Sequence, residues 1–75
     1  MDLNEFVKAF ALEFEETSED IFTPKTIFKD LDEWDSLIVL SIIALIDEEF
    51  NIRITGQDLR DCNTIGDIYN LISAK

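Results

Sequence analysis

The sequence predicts an all-α fold, a small four-helix bundle with a long ordered loop between helices one and two and a short third helix. The chain of 75 residues has room for one hydrophobic core, so we expect a single domain over residues 1–75. Several stretches repeat apolar residues at helical spacing, and none alternates apolar and polar residues long enough to form a sheet. With 47% apolar residues, two Gly and one Pro, the composition is typical of a packed chain and excludes collagen-like and disordered proteins.

The first helix is predicted from Leu3 to Phe14. Asp2 and Glu5 form a D-x-x-E start signal, in which each side chain can accept a hydrogen bond from the other residue's backbone. The apolar residues follow the 3, 4, 7 spacing of one helical face: Leu3, Phe6, Val7, Phe10, Ala11 and Phe14. Acidic residues after position 12, which are unfavourable at the negative end of a helix, and the turn-favouring pair Thr17-Ser18 indicate its end.

Residues 17–35 are predicted to form a long loop, because they follow no helical or strand period and Pro24 interrupts the middle. Loops of this length are uncommon in compact domains and are often functional. Six apolar residues should hold this one against the core: Ile21, Phe22, Ile27, Phe28, Leu31 and Trp34. We therefore expect the loop to be ordered.

The second helix is predicted from Leu37 through Ile46 to Phe50, with Asn51 as a left-handed C-cap. One apolar stripe should belong to the core: Val39, Ile42, Ile43, Ile46 and Phe50. A second apolar stripe lies on another side of the helix: Leu37, Leu40 and Ala44. Either the helix is central and buries both stripes, or the second stripe stays exposed for a partner.

Helices three and four are both predicted from T-x-x-D start signals. Thr55 and Asp58 lead a short helix around Leu59, and Thr64 and Asp67 lead the fourth helix. The fourth helix has four apolar or aromatic residues on one face: Ile65, Ile68, Tyr69 and Ile72.

The composition excludes several classes of function. Six basic and 17 acidic residues give a net charge of −11, which repels nucleic-acid phosphates and anionic membranes, so we expect neither as a partner. There is no His and Cys62 is the only Cys, which excludes Ser-His-Asp and Cys-His catalysis, zinc fingers and disulfide frameworks. Residues 1–5 lack the basic region of a signal peptide, and no apolar run approaches the roughly 18 residues of a membrane span. We expect a monomer in a reducing, cytoplasmic environment, with Cys62 in a structural role.

The acidic residues do not form a calcium loop. Asp30 and Asp32 begin with the D-x-D of an EF-hand, but Trp34 stands at the fifth position. Asp35 then occupies the position of the required Gly, and Ser41 that of the bidentate Glu. The sequence therefore predicts no metal site.

Ser36 stands where an acidic loop end changes abruptly into the apolar second helix. The simplest interpretation makes Ser36 or Asp35 an N-cap, whose side-chain oxygen accepts a hydrogen bond from a backbone N–H. The other three start signals have an acid at their third helical position, whereas Ile38 or Val39 stands there in this helix and no acid occurs between Ser36 and Ile46. The positive end of the helix therefore lacks an internal negative charge, and a phosphate ester on the Ser36 hydroxyl would be favourably placed.

With these residues the chain resembles the acyl carrier protein family, which includes the related peptidyl carrier domains. The family's D-S-L attachment motif stands here as Asp35-Ser36-Leu37, and the resemblance covers the whole chain. It extends to the long first helix, the ordered loop, an E-E-x-F-like close at residues 48–50 and the Thr-led fourth helix. The resemblance implies an acyl-carrier-like four-helix bundle.

The resemblance also implies a covalent cofactor on Ser36. In this family the serine hydroxyl is esterified by 4'-phosphopantetheine from coenzyme A, and acyl groups are carried as thioesters on the terminal thiol. Asp35 and Leu37 flank the serine, and Asp35 either caps the helix or helps to hold magnesium in the transferase complex. Because the chain offers no His or other matched base to activate the serine, we expect a phosphopantetheinyl transferase to supply base and magnesium. The protein would be a substrate and not an enzyme.

Two sets of residues follow from the resemblance. Enzymes that transfer or modify acyl groups are expected to meet a face of the second helix formed by Leu37, Ile38, Leu40, Ser41, Ala44 and Glu48. Candidates for the wall of an acyl pocket, all of which are core residues first, are Val39, Ile42, Ile43, Ile46, Phe50, Leu59 and Ile65. Ile38 and Ser41 replace acids of common fatty-acid carriers, and Glu33-Trp34 replaces the frequent glycine before D-S-L. These departures favour fatty-acid-like, polyketide or other specialised biosynthesis over housekeeping lipid metabolism.

Two alternatives stay open from the sequence. A peptidyl or aminoacyl carrier would use the same arm with an amino acid as its cargo. In a non-carrier helical interaction module, Ser36 would be only a cap, and the apolar face of the second helix would bind a protein.

Overall fold

The computed structural model describes residues 1–75 and contains four α-helices and no β-strand. The helices are α1 (Leu3–Leu12), α2 (Ser36–Phe50), α3 (Gly56–Asp61) and α4 (Ile65–Ser73). Two 3₁₀ turns, Glu19–Ile21 and Phe28–Asp30, lie in the loop between α1 and α2. The predicted fold class, a four-helix bundle with a long loop and a short third helix, is confirmed. Even the longest helix, α2 with 15 residues, is too short to cross a membrane.

Side-chain caps begin all four helices. In α1, α3 and α4 the predicted start signals are reciprocal capping boxes, formed by Asp2 with Glu5, Thr55 with Asp58, and Thr64 with Asp67. Helix α2 begins differently, because Asp35 is its N-cap and its first turn contains no acid. At the other end of α2, Asn51 adopts the predicted left-handed conformation with a φ of 55°.

Helix α1 ends at Leu12, although its apolar pattern predicts a helix as far as Phe14. Glu13 is the C-cap, and the N–H of Phe14 donates to the carbonyl of Ala11 in the closing turn. Phe14 is nevertheless buried, with its ring stacked on Phe10 at a centroid distance of 5.5 Å. The chain turns inward at this point, so the apolar periodicity continues beyond the last helical residue.

The core is built around the aromatic rings of α1. Phe10 is fully buried, and its ring centroid lies 5.5 to 6.4 Å from five other rings. These belong to Phe6, Phe14, Phe22, Phe28 and Trp34. Each such pair contributes about 0.5 to 1.5 kcal/mol beyond the area it buries. The long loop supplies three of the five rings, so it is part of the core and not an appendage.

Helix α2 packs on this core along one side only. Of its predicted core stripe, Ile42 and Ile46 are fully buried. The other three members are half-buried at the edge of the core: Val39, Ile43 and Phe50. The second stripe is exposed to solvent: Leu37, Leu40 and Ala44. The alternative in which a central helix buries both stripes is therefore wrong, because so small a domain cannot surround α2.

The loop between α1 and α2 is ordered, as predicted, but two of its six apolar residues do not reach the core. Phe22 and Phe28 are buried, and Leu31 and Trp34 are half-buried. The two exceptions are about half exposed: Ile21 at 51% and Ile27 at 49%. Each is next to a buried Phe in the chain, and in these extended and 3₁₀ segments neighbouring side chains point in different directions.

The backbone of the loop is also tied to the start of α4. The N–H of Gly66 donates to the carbonyl of Pro24 at 2.9 Å, and the N–H of Ile65 donates to the carbonyl of Thr26 at 3.2 Å. An isolated antiparallel bridge pairs Ile27 with Thr64. These bonds satisfy backbone groups at the N-terminus of α4, and they fix the middle of the loop.

Candidate functional site

Ser36 is the first residue of α2, and its side chain is exposed. Asp35 precedes it in an extended conformation, and its Oδ1 accepts a hydrogen bond from the N–H of Ile38 at 2.9 Å. Asp35 is therefore the N-cap, and the alternative in which Ser36 caps the helix is wrong. The Ser36 hydroxyl forms no hydrogen bond within the protein, so it is free to react.

The N-terminus of α2 suits a phosphate group bonded to Ser36. The N–H of Ile38 is taken by the Asp35 side chain, and that of Val39 by the Asp35 carbonyl at 3.0 Å. The N–H groups of Ser36 and Leu37 have no acceptor in the protein, and the first turn of α2 has no acid, whereas the other three helices each have one there. A phosphate ester on Ser36 would meet these two donors and the positive end of the helix dipole.

The structure places no general base beside Ser36. The chain has no His, and the neighbouring Asp35 carboxylate is engaged in capping the helix. A serine hydroxyl needs an adjacent base to act as a nucleophile at neutral pH. The residues around Ser36 therefore hold and present a hydroxyl, and they do not by themselves activate it.

The sequence-predicted partner residues share one side of α2. Leu37 is 74% exposed and Leu40 is 63% exposed. Ala44 and Glu48 continue the same side in solvent. Ile38 and Ser41 are half-buried beside them. The resulting surface begins at Ser36 and runs along α2 as a largely apolar strip, which we call the α2 face.

The sequence-predicted acyl-pocket residues line none of the three cavities of the structure. Four of them are fully or almost fully buried: Ile42, Ile46, Leu59 and Ile65. The other three are half-buried: Val39, Ile43 and Phe50. An acyl chain would need these side chains to move apart, so the pocket stays a prediction.

An acidic groove of about 520 Å³ lies beside Ser36, between the end of α1 and the start of α2. It is lined by Glu13, Glu15, Glu16, Asp32, Glu33, Asp35, Leu37, Ile38 and Ser41. No three of the chain's acidic or Cys residues are arranged so that they could hold a metal ion. Cys62 is buried away from the groove, and burial raises the pKa of its thiol.

Glu33 makes contacts that no sequence pattern predicts. Its carboxylate accepts hydrogen bonds from the backbone N–H groups of Glu15, Glu16 and Thr17, at 3.0, 2.8 and 2.6 Å. It also accepts a hydrogen bond from the Thr17 hydroxyl at 2.7 Å. These bonds, led by that of the hydroxyl, lower the pKa of Glu33 against the opposing effect of burial. The donors lie 16 to 18 residues earlier in the chain, and no local spacing links them to Glu33.

A comparison with known protein families gives one finding for this chain. The family described as a phosphopantetheine attachment site matches residues 4–72, which is all but the three residues at each end. The match includes all of the acidic groove, the α2 face and Ser36.

Proposed function

This chain belongs to the phosphopantetheine-attachment family of acyl and peptidyl carrier proteins, whose members carry 4'-phosphopantetheine covalently on a serine, and we propose that Ser36 is that serine. The observation that carries the proposal is the position of Ser36: an exposed, unbonded hydroxyl at the first position of α2. Three other serines occur in the chain, at positions 18, 41 and 73, and none of them begins an α-helix.

In the transfer of phosphopantetheine, this chain mainly supplies an exposed Ser36 hydroxyl. The Ser36 Oγ forms a bond to the phosphorus of the phosphopantetheine moiety, the pyrophosphate bond of coenzyme A breaks, and adenosine 3',5'-bisphosphate leaves. The hydroxyl proton goes to a base of the transferase, because this chain has none beside Ser36. The bound arm supplies a terminal thiol that carries the cargo as a thioester. When the arm is bound, the N–H groups of Ser36 and Leu37 would be the backbone donors for its phosphate diester.

Asp35 has two roles in this proposal. In the free protein it caps α2 and keeps Ser36 in the first turn. The other carboxylate oxygen of Asp35 accepts no hydrogen bond within the protein, so in the transferase complex it is available to a magnesium ion. The carrier is thus the substrate of the transferase and contributes at most one ligand to its metal.

The α2 face is proposed as the docking surface for enzymes that load and process the cargo. Leu37 and Leu40 are the two most exposed large apolar side chains of α2, and they lie within one and a half turns of Ser36. An apolar strip beside an attachment site favours partners that bury it, since exposed apolar residues in a continuous strip indicate an interaction surface. We propose an acyl cargo in fatty-acid-like, polyketide or other specialised biosynthesis, with these partners chosen by apolar contacts.

The test of the proposal is enzymatic modification followed by intact-protein mass spectrometry. The purified chain is incubated with coenzyme A, magnesium and a broad-specificity phosphopantetheinyl transferase. We expect one added phosphopantetheine in the wild type and none in Ser36→Ala. Ser18→Ala is the matched control, because Ser18 is also exposed and its side chain caps no helix. Modification that persists in Ser36→Ala, or a wild type that no competent transferase modifies, contradicts the proposal.

A further inference from the structure

We propose that Glu33 is a positioning residue for the modification of Ser36, because it ties the segment before α2 to the end of α1. This inference rests on the proposed function of Ser36. It adds a role for a side chain that does not touch the reacting hydroxyl and that the D-S-L motif does not include.

The Glu33 carboxylate binds the backbone that follows the end of α1. After α1 ends, three successive backbone N–H groups, those of residues 15–17, converge on this one side chain. Oε2 accepts from Glu15, whereas Oε1 accepts from Glu16 and from both the N–H and the hydroxyl of Thr17. Consecutive N–H groups arranged in this way form an anion-binding concavity, and hydrogen bonds to an ionised acceptor are stronger than neutral ones. Here the bound anion is part of the same chain.

The connection from Glu33 to Ser36 is short. Only Trp34 and Asp35 lie between them, and both are held. The Trp34 ring lies parallel to Phe10, with an interplanar angle of 11°, and meets Phe28 edge-on at a centroid distance of 4.7 Å. Asp35 is held by its bond to the N–H of Ile38. Both residues between Glu33 and the first turn of α2 are therefore held in place. Loss of the Glu33 carboxylate should for this reason alter the position of Ser36.

Glu33 lies among other acidic side chains. Its carboxylate shares the acidic groove with carboxylates from the end of α1 and from its own segment: Glu13, Glu15, Glu16, Asp32 and Asp35. Like charges so placed repel one another and would drive the segment before α2 away from the end of α1. The hydrogen bonds to Glu33 oppose that repulsion. They explain why an acidic segment stays packed beside another acidic segment.

The structural half of the test is hydrogen exchange of backbone amides in the unmodified protein. Glu33→Gln is compared with Asp32→Asn, which removes the same charge one residue away, where the side chain is exposed and forms no hydrogen bond. We expect Glu33→Gln to speed exchange at residues 15–17 and at Ile38 and Val39 by about tenfold, with α4 unchanged. Asp32→Asn should leave all of these amides as in the wild type.

The functional half is the kinetics of Ser36 modification, measured well below the melting temperature. A transferase that meets a loosened segment must order it on binding, so we expect Glu33→Gln to raise the KM for the carrier about three- to tenfold with kcat nearly unchanged. Asp32→Asn should change KM less than twofold, by roughly the effect of one exposed charge. A purely structural role for Glu33 would lower the melting temperature and leave this KM unchanged.

Thr17→Val provides a milder variant in case Glu33→Gln folds poorly. It removes one of the four hydrogen bonds and keeps the three from the backbone, so exchange and KM should change in the same direction by a smaller factor. If Glu33→Gln and Thr17→Val both match Asp32→Asn in KM, the positioning role of Glu33 is overturned even where their exchange is faster, while the function of Ser36 stands. A wild type that is not modified at Ser36 overturns the proposed function, and the role of Glu33 with it.

Discussion

The Glu33 carboxylate should make the stability of the protein depend on pH in a defined direction. Its pKa is lowered in the folded chain, chiefly by the Thr17 hydroxyl, so the folded state keeps it ionised to lower pH than the unfolded state does. Its stabilisation is therefore complete above the usual glutamate pKa of about 4.3 and is lost as the pH falls through the lowered folded value. Asp67 contributes in the same direction, because the N–H groups of Thr64 and Asn63 lower its pKa.

The measurement is the difference in the free energy of unfolding between the wild type and Glu33→Gln, from urea titrations between neutral pH and about pH 3. Protonation of the other acids relieves their repulsion and stabilises both proteins in acid. Because this effect is common to both, it cancels in the difference. We expect the wild type to be more stable near neutral pH and the difference to shrink in acid. A difference that is constant or grows in acid would show that the hydrogen bonds to Glu33 do not stabilise its ionised form.

The sequence predicts residues whose roles depend on neighbours in the chain and misses those whose roles depend on distant ones. Asn51 is recognised, and the cap of α2 is limited to Asp35 or Ser36, because a cap acts within one helical turn. Glu33 is not recognised, because its four donors are brought to it only when the loop folds back on α1. Which of the two adjacent residues caps α2, and therefore whether the Ser36 hydroxyl is free, is decided only by the folded structure.

At the level of elements, the contact between the loop and α4 should make the chain's two glycines, Gly56 and Gly66, respond differently to substitution. A Cβ on Gly66 would lie 3.0 Å from the Pro24 carbonyl oxygen, a backbone atom that also accepts the Gly66 N–H. A Cβ on Gly56 in α3 would meet only the end of the Arg60 side chain, at 3.8 Å. Alanine is favoured over glycine in helices by up to about 1 kcal/mol.

We therefore expect Gly56→Ala to be neutral or stabilising by up to about 1 kcal/mol and Gly66→Ala to be destabilising by about 1 kcal/mol. Urea unfolding of the two variants and the wild type measures both effects. Equal effects of the two substitutions would mean that the loop yields freely at Pro24, and that its attachment to α4 is weaker than the hydrogen bonds indicate.

The α2 face should set which enzymes accept the carrier. The resemblance to common fatty-acid carriers implies acids at the positions of Ile38 and Ser41, so we expect basic patches on fatty-acid enzymes to find few counter-charges there. We expect the holo protein to be a poor substrate for a fatty-acid synthase malonyl transferase. Ile38→Asp with Ser41→Glu should improve turnover through faster electrostatic encounter, and the gain should fade as salt is added. Equal and efficient turnover of both proteins would contradict this expectation and favour a role in housekeeping fatty-acid synthesis.

The affinity of a cognate partner for the α2 face should depend more on its apolar side chains than on its charges. Fully burying a Leu or Ile side chain contributes about 1.5 to 3 kcal/mol, so Leu37→Ala and Ile38→Ala should each weaken binding about tenfold or more. Glu48→Gln, at the far end of the face, is the control and should matter less. Calorimetric titration of the holo protein variants with the partner measures these affinities, and a larger loss in Glu48→Gln than in Leu37→Ala would contradict apolar recognition.

Local sequence patterns predict the helices but not all of their ends or their buried faces. Capping boxes and apolar stripes predict the four helices, because both act over one or two turns. The end of α1 is misjudged, because Phe14 continues the apolar stripe from outside the helix. Which stripe of α2 is buried depends on the packing of the other elements, and the sequence leaves that question open.

For the molecule as a whole, the net charge of −11 on 75 residues should limit stability at low ionic strength. Added salt screens the repulsion among the acids, with a Debye length of about 10 Å at 0.1 M. We expect the melting temperature to rise as sodium chloride is added from a low-salt buffer. A flat or falling melting temperature would show that the acids of the folded chain are spaced too widely, or hydrogen-bonded too well, for repulsion to matter.

Whether Ser36 carries the phosphopantetheine arm can be read from the position of the added group within the modified wild-type chain. Trypsin cleavage after Lys29 and Arg53 releases a segment whose only hydroxyl side chains are Ser36 and Ser41. Tandem mass spectrometry of this segment separates the two, because they lie five residues apart. We expect the whole added mass on Ser36. The added mass on Ser41, or on a segment outside residues 30–53, would contradict it.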